Sequence, residues 1–230
     1  MMKLNAKPVN FKMGEYISNG YNFLKSNFGD IFVAFLLCFV MSIIPFCGLL
    51  AIGNFYRYCR GLRRGEKVSS GDIFNFDNFM PYFIMQLILI GGLLLIYIPM
   101  IIFIPIMANG DNLSAGFGIL YMVYMLFVYV AIIVVLIKAF YMTALISLGG
   151  ITDVKTAWNM SVTMGKGNGL NMFLFILVVA ILGYLGILAC GIGLLLTIPF
   201  VYTAQYFALE DGMQQIEYDE IKEIGSKNEF

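Results

Sequence analysis

Apolar residues along the chain fall into four long blocks, at about 28–56, 80–107, 117–149 and 170–209, with polar stretches between them. A helix that crosses a membrane needs roughly 20 mostly apolar residues. The last block is about twice that length, and Gly186, Gly191 and Gly193 in its middle allow a tight helical turn. It predicts two spans, 170–188 and 192–209. The first block is interrupted by Pro45 and Gly48 in IIPFCGLL, which predicts a second hairpin whose return leg is short before Arg57 arrives. The pattern as a whole predicts an all-α integral membrane bundle of six spans in three hairpins.

Charge supports the hairpin in the first block. With one long span there, Lys3, Lys7, Lys12 and Lys25 would face the opposite side from Arg57, Arg60, Arg63, Arg64 and Lys67. With a hairpin, both clusters fall on the cytoplasmic side, as the positive-inside rule favours. The outer segments 45–48, 107–116 and 189–192 then contain no Lys or Arg, and Asp111 is their one charged residue. Lys138 is the exception, near the inner end of the fourth span, where its stem can snorkel to the interface. Both termini are expected to be cytoplasmic. The polar first 25 residues do not read as a cleavable signal peptide.

Each hairpin is preceded by a stretch with helical apolar spacing. In the first, Met13, Ile17, Tyr21, Leu24 and Phe28 recur every three or four residues. The second, SSGDIFNFDNFM, offers Ser69 or Ser70 as N-cap. The third has Val154, Trp158 and Val162 on one face, with Thr152 or Asp153 at the cap position. These predict short amphipathic helices at the membrane interface, a level that suits Trp158.

Composition narrows the function. The chain has 230 residues, 60% of them hydrophobic and 12% charged, with mean hydropathy +0.86. This excludes a soluble globular enzyme and a disordered chain. Fourteen Lys and Arg against fourteen Asp and Glu give no basic excess for nucleic-acid binding. Histidine is absent, so imidazole acid–base chemistry and imidazole metal ligation are excluded, and no cofactor is expected. The four cysteines show no C-x-x-C spacing. Cys47 and Cys190 fall at expected outer turns, where a disulfide and two free thiols both remain open.

The first and third units align weakly. CGLLAIGNFYRYC, from Cys47, lies over CGIGLLLTIPFVY, from Cys190, pairing Asn54 with Thr197 and Arg57 with Phe200. AWNMSVTMGK from Ala157 to Lys166, Phe173, Gly191 with Gly193, PFVY ending at Tyr202, AQYF ending at Phe207, and RGEKVSSGDIF from Arg64 to Phe74 together resemble a bacterial membrane-protein superfamily. It includes the membrane domain of glycerophosphoryl diester phosphodiesterases and related uncharacterised six-span proteins. The resemblance covers most of the chain and implies a six-span fold in the cytoplasmic (inner) membrane. The catalytic barrel of the two-domain members has no counterpart here, and no site residue transfers.

Polar groups inside apolar blocks are costly, which makes them site candidates. Asn54, Gln86, Lys138 and Thr197 are the intramembrane set. Arg57, Arg60 and Arg64 share one helical face and form the candidate contact for anionic lipid or ligand, with a plain topology anchor as the alternative. No Asp or Glu lies deep in an apolar block, which weighs against ion-coupled transport and against hydrolysis.

The chain divides into a cytoplasmic N-terminal segment (1–27), a membrane domain (28–209) and an acidic tail (210–230). The tail reads as a solvated segment, or as a helix docked on the basic 57–67 stretch. The expected function is non-enzymatic, acting through membrane lipids, anionic ones among them, or through a membrane-protein partner or second copy, as scaffold, accessory subunit or regulator. The alternative is a transporter or channel for a small or lipid-like molecule.

Overall fold

The computed structural model of the protein describes residues 6–108, 115–189 and 193–227. The turns expected at 109–114 and 190–192, with Asp111 and Cys190, lie outside the described residues. The protein is all-helical: 81% is helix, and the described residues contain no strand. The helices are α1 (Met13–Ser26), α2 (Phe28–Ile43), α3 (Gly48–Arg63), α4 (Phe79–Ala108), α5 (Ala115–Lys138), α6 (Met142–Ser147), α7 (Val154–Met164), α8 (Gly169–Tyr184) and α9 (Leu194–Lys227).

Three stretches are long and apolar enough to cross a membrane: Phe79–Pro99, Gly118–Ser147 and Gly169–Leu188. A fourth arises if α1 and α2, bent by 101° at Asn27, count as one span. Asn27 closes α1 by donating from Nδ2 to the Phe23 carbonyl at 3.0 Å. The shell agrees with a lipid environment. Leu95 and Phe127 are each 74% exposed and Leu188 is 82% exposed. They belong to an apolar belt over α2, α4, α5 and α8 far beyond the isolated patches usual on soluble proteins. By length and composition the count is three or four, against the six expected. The other apolar segments fall short of that length and composition for local reasons. α2 and α3 have 16 residues each, and α9 continues into the acidic sequence, which lowers its mean apolarity.

At the centre lies α3. It buries Leu50, Ala51, Phe55, Tyr56, Tyr58 and Cys59, and packs against α2, α4, α6 and α9. Glycines let its neighbours approach. A Cβ on Gly53 would stand 2.1 Å from the Tyr82 hydroxyl, and one on Gly61 would stand 2.4 Å from Val68. The Tyr58 hydroxyl, near the end of α3, lies 3.5 Å from the Asp30 carbonyl at the start of α2, so the two helices run antiparallel. The turn between them carries Phe46 at φ 63°, and Cys47 is a buried free thiol.

The amphipathic stretches differ from their expected form. In α1 the buried residues are Tyr16, Gly20 and Leu24, while Tyr21 is 56% exposed. The packed stripe is thus rotated from the expected one because its partner is α9, where backbone proximity outweighs side-chain size. A Cβ on Gly20 would stand 2.7 Å from both N and Cα of Ala204. Thr203 adds a hydroxyl bond to the Gly20 carbonyl at 3.1 Å. Ala204 and Ala208 are both fully buried, so this small-residue pair serves contact within the bundle.

The second stretch is a five-residue 3-10 turn, Ser70–Phe74, capped by Ser69 in a capping box with Asp72. The third is α7, with Asp153 as N-cap: its carboxylate accepts from the Thr156 amide at 2.8 Å. The Thr156 hydroxyl bonds it too, and these bonds hold the Asp153 carboxyl below its ordinary pKa.

The segments at 9–11 and 210–216 are both tied into the bundle. Val9 and Phe11 are buried, and the Val9 amide donates to the Met164 carbonyl at 3.0 Å. Phe11 sits among Tyr16, Phe140 and Phe175 with ring centroids 5.0–5.9 Å away, each at a steep angle. The expected boundary at 209/210 falls inside α9, and Met213 and Ile216 are completely buried. Asp211 accepts from the Tyr16 hydroxyl at 2.7 Å, and Gln215 pairs with the backbone of Asn10. The start of the acidic segment is therefore core, docked on α1 and the N-terminal strap.

Two glycines of α1 are expected to respond oppositely to alanine. Gly20→Ala drives a methyl into the Ala204 backbone and should destabilise by about 1–3 kcal/mol. Gly14 has open space, so Gly14→Ala should be neutral or stabilising by up to about 1 kcal/mol through helix propensity. Thermal unfolding in detergent compares them, and a harmless Gly20→Ala would refute the α1–α9 contact.

Candidate functional site

Arg57 and Arg60 leave one face of α3 and meet the end of α6. That helix ends at Ser147 with Leu148 as its C-cap, ahead of Gly150 (φ 67°), and a helix end leaves its last carbonyls without helical partners. Arg57 supplies one donor, Nε to the Ser147 carbonyl at 2.7 Å. Arg60 supplies another, Nη1 to the Leu148 carbonyl at 3.0 Å. The positive groups also lie at the negative end of the helix.

Arg60 then turns its remaining edge to Glu210 of α9. Nε donates to Oε2 at 2.7 Å, and Nη2 stands 2.6 Å from the same oxygen. Glu210 is 1% exposed. Its other oxygen takes a bond from Gln214 Nε2 at 3.1 Å and lies 3.8 Å from Arg63 Nη2. Arg63 also covers the Phe207 ring at 5.7 Å. A buried carboxylate is tolerable only when paired and hydrogen-bonded in this way. Arg57 and Arg60 are therefore engaged with protein acceptors. Arg64 is separate, half-exposed and 4.0 Å from Glu66.

The intramembrane candidates do not converge. Asn54 donates to the carbonyls of Ile73 and Asn75, at 2.9 and 2.6 Å, and so pins the 3-10 turn to α3. Thr197 donates to the Gly183 carbonyl at 2.7 Å, tying α9 to α8. Lys138 ends α5 with its side chain exposed, and its carbonyl accepts from Ser161 at 2.7 Å. Gln86 Oε1 and Asn54 Oδ1 are buried and, among the described residues, without a hydrogen-bond partner. No group of three Cys, Asp or Glu side chains converges as a metal site among the described residues.

What sequence reasoning did not anticipate is an open cavity of about 1240 Å³ between α3, α4, α5, α6, α8 and α9, with α7 along its rim. Ligand pockets usually span about 300–1,000 Å³, so this one has the size for a lipid. Its walls are aliphatic, for example Ile88, Leu136, Ile176 and Ile198. Tyr56 and Gln205 place one polar bond in the wall, hydroxyl to Oε1 at 3.1 Å. Ile88 and Tyr184 line the space yet are 61% and 70% exposed, so it opens toward the apolar belt. Among the described residues no carboxylate lines it; Lys155 and Trp158 of α7 do. Of this rim the sequence pattern singled out Trp158, not Lys155 three residues before it. The cavity itself, made from segments far apart in sequence, left no signal.

No family model matches the chain, and no curated protein or solved structure shows significant similarity to it. The class the structure defines is a helical protein with membrane-spanning segments, a central arginine–glutamate cluster and a lipid-sized apolar cavity.

Proposed function

We propose that this protein is a non-enzymatic membrane protein that works by holding a lipid between its helices, as a regulator, scaffold or accessory subunit. The cavity carries this reading. Its walls are aliphatic, it opens to the apolar belt, and its volume exceeds that of ordinary small-molecule sites. The transporter alternative has less support, because among the described residues no carboxylate lines the cavity to couple an ion.

The proposed setting is the bacterial cytoplasmic membrane, crossed six times with both termini cytoplasmic. The absence of Lys and Arg from 45–48, 107–116 and 189–192 supports this topology, as does the clustering of Arg57, Arg60, Arg63 and Arg64 at the end of α3. Short α2 and α3 and the first part of α9 then supply the legs that length alone does not single out. The six-span superfamily resemblance is part of the same proposal.

Native mass spectrometry of the detergent-purified protein should find phospholipid retained at about one per chain, displaced in Ala180→Trp, which fills the cavity. A folded wild type that retains none refutes the reading. Accessibility labelling at single cysteines replacing Arg63 and Asp111 should report opposite sides, and labelling from one side would refute six spans.

A further inference from the structure

We propose that the lipid in this cavity is an anionic phospholipid whose phosphate headgroup is read by Lys155, with the Trp158 indole beside it. This rests on the lipid-holding reading above and adds the identity of the ligand.

Lys155 is the one charged residue that lines the cavity among the described residues. Lys155 and Trp158 are three apart on α7, so they stand on one side of that helix, at the rim of the apolar space. An occupant with a long apolar body and a single anionic end satisfies both surfaces. Its chains replace water against Ile88, Leu136 and Ile176, and its phosphate meets the ammonium at the rim. The indole suits the same depth, with an apolar ring and a polar N–H.

One acid, Asp153, attracts the ammonium through space, while its hydrogen bonds go to the cap of its helix, at the Thr156 amide and hydroxyl. Among the other cations, Arg57 and Arg60 face Ser147, Leu148 and Glu210 inside the protein. Lys155 is exposed, as a headgroup contact at a membrane surface must be. A zwitterionic lipid gains less here, because its own ammonium offsets the attraction.

The test reconstitutes the full chain in nanodiscs of equal phosphatidylglycerol and phosphatidylethanolamine, then counts by native mass spectrometry the lipids retained after delipidating washes. Wild type should retain phosphatidylglycerol about fivefold over phosphatidylethanolamine. Lys155→Gln should bring that ratio close to one while total retained lipid stays the same. Lys166→Gln, an exposed lysine off the cavity, should leave the ratio unchanged. A wild type without preference, or an equal preference in Lys155→Gln, overturns the assignment to Lys155 while leaving the lipid-holding reading intact. Absence of any retained lipid from folded wild type overturns both.

Discussion

A buried carboxylate must have cations brought to it, and in this protein that requirement joins three helices at one point. Glu210 of α9 is covered, so Arg60 of α3 must reach it, and Arg60 reaches the open end of α6 with the same guanidinium. Arg57 takes the next carbonyl of that end. The planar fork of arginine can serve a carboxylate and a carbonyl together, which a lysine ammonium at this position would do less well. With these contacts made, α3 is fixed in the centre and its apolar residues pack on all sides. Two features of the chain, a short basic helix and an acid at the start of a charged segment, become one structural element.

Close backbone approach is the second constraint, and the cavity lies where it stops. Gly20 against Ala204, Gly53 against the Tyr82 hydroxyl and Gly186 against Gly193 bring elements together where any larger residue would separate them. These contacts join α1 to α9, α3 to the first turn of α4, and the turn after α8 to the start of α9. By contrast, α4 and α5 show bare apolar faces around most of their circumference, and Gly91, Gly92 and Gly118 meet nothing. The space between the tight part and these looser helices is the lipid-sized cavity. Its apolar lining follows from side chains that have no protein partner to meet.

The sequence made much of this legible, and the limits have identifiable causes. Periodicity and apolar length located the helices, because a span must satisfy its backbone within itself. The N-caps were readable to within one residue, Thr152 or Asp153 and Ser69 or Ser70, because their bonds are local. The break at Pro45 and Gly48 was readable for the same reason. Long-range pairing was not. Docking of the acidic segment on 57–67 was one of two readings of the tail, but nothing near Arg60 in sequence singles out Glu210, 150 residues away, and the arginine stripe itself read as a surface feature. Likewise the α1 stripe was assigned by side-chain size, whereas the actual face is set by Gly20, which hydrophobic pattern ignores. The tail was judged by its charge, although Met213 and Ile216 at helical spacing already placed part of it in the core.

The central claim is that the arginines of α3 hold the fold from inside. The direct measurement is a double-mutant cycle of Arg60→Met and Glu210→Leu, read by equilibrium unfolding in mixed micelles. Each single change strands a buried charge and is expected to cost about 3–5 kcal/mol. The double variant should be more stable than the sum of the two by at least about 2 kcal/mol, because neither charge is left alone. Additive losses, or single losses within about 0.5 kcal/mol of zero, would show that Arg60 and Glu210 are not coupled and would contradict the account.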